Sequence, residues 1–161
     1  MTAPKNILIP TDFSDTAKSA LTYAKFLAEK FSSNLHVLHV LHSPFTYMQS
    51  LEASPEVAYL REELSQDAAR RLEGILTPEE RKKLNARSTS FWGIPHIDIV
   101  EYAAKNDVDL IVMGTHGRGP IHRLMLGSVA DKVIRHAPCP VLTVRLPQHR
   151  ADAAAGPCER V

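Results

Sequence analysis

Apolar and polar positions along the chain change period several times, and each change marks an element. Ile7-Leu8-Ile9 is a short apolar run stopped by Pro10, the pattern of a buried strand. From Ser14 the spacing becomes three and four: Ala17, Ala20, Leu21, Ala24, Leu27, Ala28 and Phe31 trace one stripe of a helix. Asn34 to Leu41 is almost continuously apolar, as in a parallel sheet covered on both faces. Residues 43–55 carry no period and read as a loop. Val57, Leu60, Leu64, Ala68, Leu72 and Ile75 then mark a long amphipathic helix whose other side holds Arg61, Glu62, Glu63 and Arg70. Thr77-Pro78-Glu79-Glu80 opens a second helix with proline at its first position. Ala86 to Phe91 reads as a third strand, and Ile97, Val100 and Ala104 as a short helix after Pro95. Asp109 to Met113 is the fourth strand, Val129 to Ile134 a helix, and Val141 to Val144 the fifth strand.

This alternation predicts an α/β fold: one doubly wound, five-stranded parallel sheet with helices on both faces. Residues 1–146 are expected to form it, and residues 147–161, which lack periodicity, to be a disordered C-terminal tail. The length of 161 residues suits one core. A net charge of +1 argues against a general nucleic-acid binder, which concentrates basic excess on one face. No apolar run is long enough to span a membrane, and the first residues lack the regions of a signal peptide. Two cysteines make no disulfide framework, so the expected location is the cytoplasm, with Cys139 and Cys158 reduced.

The most informative segment is Gly114 to Ser128, which follows a strand and precedes a helix. Its spacing is Gly-x2-Gly-x9-Gly-Ser, with Gly114, Gly117, Gly127 and Ser128 as the fixed positions. Small residues let a phosphate approach the backbone, and the first turn of the next helix offers unpaired N–H groups and the positive end of its dipole. The Walker spacing is absent, and no dinucleotide fingerprint follows the first strand. A strand order of 3-2-1-4-5 would bring Asp12, just past the first strand, opposite Gly114, just past the fourth.

These glycines, together with Ile7-Leu-Ile-Pro-Thr-Asp-Phe-Ser14, His39-Val40, Asp109-Leu-Ile-Val-Met-Gly114 and Pro138-Cys-Pro-Val141, resemble the ATP-binding branch of the universal stress protein family. The resemblance implies sheet order 3-2-1-4-5 and a bound adenine nucleotide, ATP, whose phosphates would invite Mg2+. It implies that Asp12 meets the nucleoside and that the Val40 backbone hydrogen-bonds adenine. Gly114 and Gly117 would line the ribose and phosphates. Gly127 and Ser128 would hold phosphate oxygens through N–H groups and the Ser128 hydroxyl. Pro10, Thr11, Met113, Arg118 and Val129 complete the expected site. It further implies a stress-response protein that senses or signals through its nucleotide state, and a homodimer joined through Val141 to Val144, an edge strand without charge. A slow ATPase or nucleotidyl-transfer enzyme, and a nucleotide-free interaction module, are the alternatives.

Plainer readings stand beside these. Ser128 with Asp131 fits a simple helix cap, Asp12 suits the cap of the first helix, and Gly114 suits a strand-ending turn. Val40 reads as a core side chain. Arg118, His122 and Arg123 suit either a triphosphate or a solvated loop face, and His116 lies between two motif glycines. His36-x2-His39-x2-His42 has the look of a metal site, but alternation on a strand turns His39 away from the other two. Cys139 lacks a basic neighbour closer than His136 and reads as inert.

Overall fold

The computed structural model describes residues 3–42, 54–115 and 127–145. Within them the strands are β1 (Asn6–Pro10), β2 (Asn34–Leu41), β3 (Arg87–Trp92), β4 (Leu110–Gly114) and β5 (Val141–Val144). The helices are α1 (Asp15–Phe31), α2 (Pro55–Glu73), α3 (Pro78–Lys83), α4 (Pro95–Lys105) and α5 (Ser128–His136). The strands are all parallel, in the order β3-β2-β1-β4-β5. The expected tail from residue 147, with Cys158, and most of the expected loop, residues 43–53, lie outside the described residues.

Alternation along the strands supplies two cores. Ile7, Ile9, Leu35, Val37 and Val112 face α1 and the end of α2, meeting Ala20, Ala24, Ala28 and Leu72. Leu8, Leu38, Ile111 and Met113 face the other way, against Ile99 and Ala103 of α4 and Ala130 and Val133 of α5. Alanines along α1 let the helix lie close to the central strands. The Thr77 reading holds: its side chain accepts the Glu80 N–H at 3.2 Å, and the Glu80 carboxylate accepts the Thr77 N–H at 3.0 Å.

Three sequence readings need correction. Pro10 does not stop β1 but is its last residue, paired with Leu38. The α2 stripe does not face the core along its whole length: Leu60 and Leu64 are 44% and 43% exposed, Ala68 and Leu72 are buried, and Ile75 lies beyond the helix. The buried residues of α2 lie in its last turns, and earlier in the helix Ser65 and Arg61 meet the sheet at Trp92 of β3. The α4 stripe is rotated: Ile97 is exposed, while Ile99 and Ala103 are buried. That helix is apolar around much of its circumference, so periodicity alone does not select a face.

His36 links the sheet to α4. It is buried, with Nδ1 3.1 Å from the Tyr102 hydroxyl. Burial first, and then the Arg87 charge, lower its pKa below 6.5. The unfolded chain therefore takes up a proton that the native state resists, so stability falls as pH drops from 6.5 toward the lowered native value and then levels off. Denaturant midpoints measured across that window should fall less steeply for His36→Gln than for the wild type. An unchanged slope would remove His36 as the source.

Candidate functional site

The site forms where the loops after β1 and β4 part, one leading to α1 and the other toward α5. Pro10 helps to part them. Even-numbered residues of β1 face β4, as the Asn6 carbonyl accepting the Asp109 N–H at 2.9 Å shows. Pro10 belongs to that series but has no N–H to give, and the β1–β4 register ends at Leu8↔Ile111. Beyond it the strands enclose a cavity of about 310 Å³.

Three groups of residues line this cavity. Pro10, Thr11 and Asp12 come from the end of β1, joined by Ala17 from α1. Leu38 and Val40 of β2, Met113 of β4, and Pro95 and Ile99 of α4 make its apolar part. Gly114, Thr115, Gly127, Ser128, Val129 and Ala130 form the side toward α5. Nine of the residues expected from the sequence are thus brought to one place. The other two, Gly117 and Arg118, lie outside the described residues, as do His116, His122 and Arg123.

Backbone register explains what Val40 offers. In a parallel ladder a residue turns its N–H and C=O to one side, and successive residues alternate. The Asn34 N–H meets the Lys5 carbonyl, and the Leu38 carbonyl accepts the Thr11 N–H at 2.8 Å. The Leu41 carbonyl accepts the Gly93 N–H on the opposite side, toward β3. Val40 therefore presents its N–H and C=O toward β1, at the point where β1 has turned away. Its side chain packs with the α4-side core, so the core reading and the backbone reading are compatible.

At the other end of the cavity is the first turn of α5. Gly127 is the N-cap, no side chain caps the helix, and its carbonyl accepts the first helical bond, from the Asp131 N–H at 2.9 Å. The N–H groups of Ser128, Val129 and Ala130 precede that bond and carry the positive end of the helix dipole. The Gly127 N–H is taken by the Thr115 carbonyl at 2.7 Å, so the donors available to an anion begin at Ser128. The simple-cap reading of Ser128 fails. Ser128 is the first helical residue, and Asp131 turns forward to pair with Arg135.

The β1–α1 turn has its own logic. Ser14, not Asp12, caps α1, accepting the Ala17 N–H at 3.2 Å. Asp12 Oδ1 accepts the Ser14 N–H at 3.0 Å, and Thr11 Oγ1 accepts the Phe13 N–H at 3.0 Å. Gly114 is more than a turn residue. A Cβ added there would lie 3.0 Å from Thr16 Cβ and 3.1 Å from the Thr16 carbonyl carbon, so its missing side chain admits the first turn of α1.

Sequence reasoning missed Thr115, Leu38, Ala17, Ala130, Pro95 and Ile99. Thr115 directly follows a motif glycine and is 1% exposed, bracing Gly127 on one side and the Val144 carbonyl on the other. Pro95 and Ile99 start the helix that follows β3, at the same carboxyl edge of the sheet, and that placement is the signal that would have found them. His36 and His39 do lie on opposite faces, one against Tyr102 and the other against Phe13. Burial, with the nearby Asp109 charge, pushes the Cys139 thiol up, away from the reactive thiolate.

Comparison with known proteins agrees with this geometry. Residues 4–145 match the Universal stress protein family. Universal stress protein MJ0531 of Methanocaldococcus jannaschii is 35% identical over 145 residues, covering 89% of this chain and 84% of its own. Universal stress protein YxiE of Bacillus subtilis is 32% identical, covering 86% and 97%. Among solved structures, protein MJ0577 superimposes with a TM-score of 0.77 at 32% identity, over 92% of this chain and all of its own. The universal stress protein from Archaeoglobus fulgidus in complex with dAMP superimposes with a TM-score of 0.52 at 26% identity, over 89% of this chain and 99% of its own.

Proposed function

Since this chain belongs to the universal stress protein family, we propose that it binds ATP in the cavity between β1, β4 and α5 and acts in stress response through its nucleotide state. The observation that carries this reading is one cavity with two kinds of backbone donor at its ends. The N–H and C=O of Val40 offer a donor beside an acceptor, which suits the N1 acceptor and the amino donor of adenine. The first turn of α5 suits phosphates. Leu38, Ile99 and Met113 between them suit the faces of a base. Gly117 and Arg118 would join from the connecting segment, and Asp12 would meet the nucleoside. A relative with bound dAMP supports the ligand class.

Phosphates held by α5 would present oxygens to Mg2+. Rapid hydrolysis, which asks for an oriented water and stabilised transition-state charge, is not part of the proposal. Among the described residues no helix is long and apolar enough to cross a membrane. Calorimetric titration of the purified protein with ATP should give saturable heat, with GTP much weaker because its base presents the opposite donor and acceptor order. No heat at millimolar ATP would overturn the reading.

The same reading includes a homodimer. β5 is at the edge of the sheet, and its Leu142 is 39% exposed. An uncharged apolar edge of this kind needs cover, and antiparallel pairing of two copies supplies it with two-fold symmetry. Light scattering after gel filtration should give twice the chain mass for the wild type and one chain mass for Leu142→Lys. A wild-type monomer at micromolar concentration would contradict the pairing.

A further inference from the structure

The ladder between β1 and β2 is interrupted at one specific bond. By register, the Asn34 N–H meets Lys5, and the Thr11 N–H meets the Leu38 carbonyl. Continued by one step, the series would give the Val40 N–H to the Thr11 carbonyl. Among the described residues no backbone bond joins that pair. The Thr11 carbonyl is instead 2.7 Å from His39 Nδ1. A carbonyl only accepts, so Nδ1 carries the hydrogen.

We propose that His39 is a positioning residue that holds the fork between β1 and β2 open. By donating to the Thr11 carbonyl it takes the acceptor that Val40 would otherwise use, and leaves the Val40 N–H to a ring nitrogen of a purine. This rests on the adenine reading above and deepens it, because it assigns a side chain to the making of a backbone recognition element.

The surroundings fix the ring in that role. The His39 imidazole lies against Phe13, with centroids 4.6 Å apart, and the Arg71 guanidinium covers the Phe13 ring at 4.6 Å. Phe13 has φ of 64°, a left-handed conformation that a bulky residue adopts at a cost of about 1 kcal/mol or more. That turn swings the chain away from β2 after Thr11. The histidine bond and the stacked phenylalanine both act at the point of divergence, and α2 supplies the outer clamp.

The test uses the full-length 15N-labelled protein and three forms: wild type, His39→Leu and His39→Asn. The asparagine amide nitrogen occupies about the place of Nδ1 and should preserve the bond to Thr11. In ligand-free wild type the Val40 amide should exchange with solvent deuterium far faster than its neighbour Leu38. In His39→Leu it should slow by about tenfold or more as it pairs with Thr11, and in His39→Asn it should stay fast. Calorimetry should show ATP affinity reduced by about tenfold in His39→Leu, the scale of one net hydrogen bond. Binding of inorganic tripolyphosphate should be unchanged, and His39→Asn should retain ATP binding. Unaltered Val40 exchange in His39→Leu would overturn the proposal, as would equal losses for ATP and tripolyphosphate. If the exchange pattern holds and wild type fails to bind ATP, the fork assignment stands and the nucleotide reading falls.

Discussion

Gly127→Val is expected to weaken ATP binding by about a hundredfold, the loss of one to two charge-assisted hydrogen bonds, while the protein stays folded. Gly127 has φ of −63° and ψ of 148°, a conformation open to any residue, so glycine is not required there for backbone reasons. Its N–H and C=O are both engaged, with Thr115 and Asp131. In the proposed site a phosphate oxygen sits beside the N–H groups of Ser128 and Val129, next to the position from which a side chain at 127 would project. A branched side chain there competes for that space. Valine is also a poor N-cap, which costs about 1 kcal/mol. For a chain of this size that lowers Tm by about 2–4 °C. Calorimetry with ATP and a thermal melt separate the two effects. Unchanged affinity would remove Gly127 from the phosphate site.

Gly114→Ala is expected to do the reverse, costing about 1–3 kcal/mol of stability, the usual range for overpacking. The new Cβ would lie 3.0–3.3 Å from Thr16 Cβ, the Thr16 carbonyl carbon and the Ala17 nitrogen. Two of these three neighbours are backbone, and Thr16 is itself buried, so the start of α1 has to shift. The affinity of the folded fraction for ATP should fall less than in Gly127→Val, because the added carbon points at α1. Denaturant unfolding measures the first effect and calorimetry the second. A Gly114→Ala variant as stable as the wild type would show that the α1 turn yields without cost. The two motif glycines are thus alike in sequence and differ in what they do.

That contrast shows what the sequence carries. The central strands β1, β2 and β4 were legible as largely apolar runs, whereas β3, Arg87-Ser-Thr-Ser-Phe-Trp92 at the edge of the sheet, carries no such run. The order 3-2-1-4-5 followed from the resemblance together with the pairing of Asp12 and Gly114 across one edge. Helix faces were less legible. In α4 the residues Ile97, Val100 and Ala104 compete with Ile99 and Ala103, and only packing against β2 and α5 decides. In α2 the apolar stripe includes Leu60 and Leu64, which stay exposed. Ser128 looked like a cap because sequence does not show where a helix begins to within one residue. The parts played by Pro10 and His39 were hidden for another reason. Both depend on which side of a strand a particular amide faces, and that is fixed only by register with a neighbouring strand.

The central claim is that backbone donors of β2 and α5 hold the two ends of one adenine nucleotide. An amide-resolved NMR titration with ATP tests it most directly. Saturable shifts of Val40 at one end and of Ser128 and Val129 at the other, at a common midpoint, are the predicted result. Saturable binding that leaves those amides unmoved, or shifts at one end only, would contradict it.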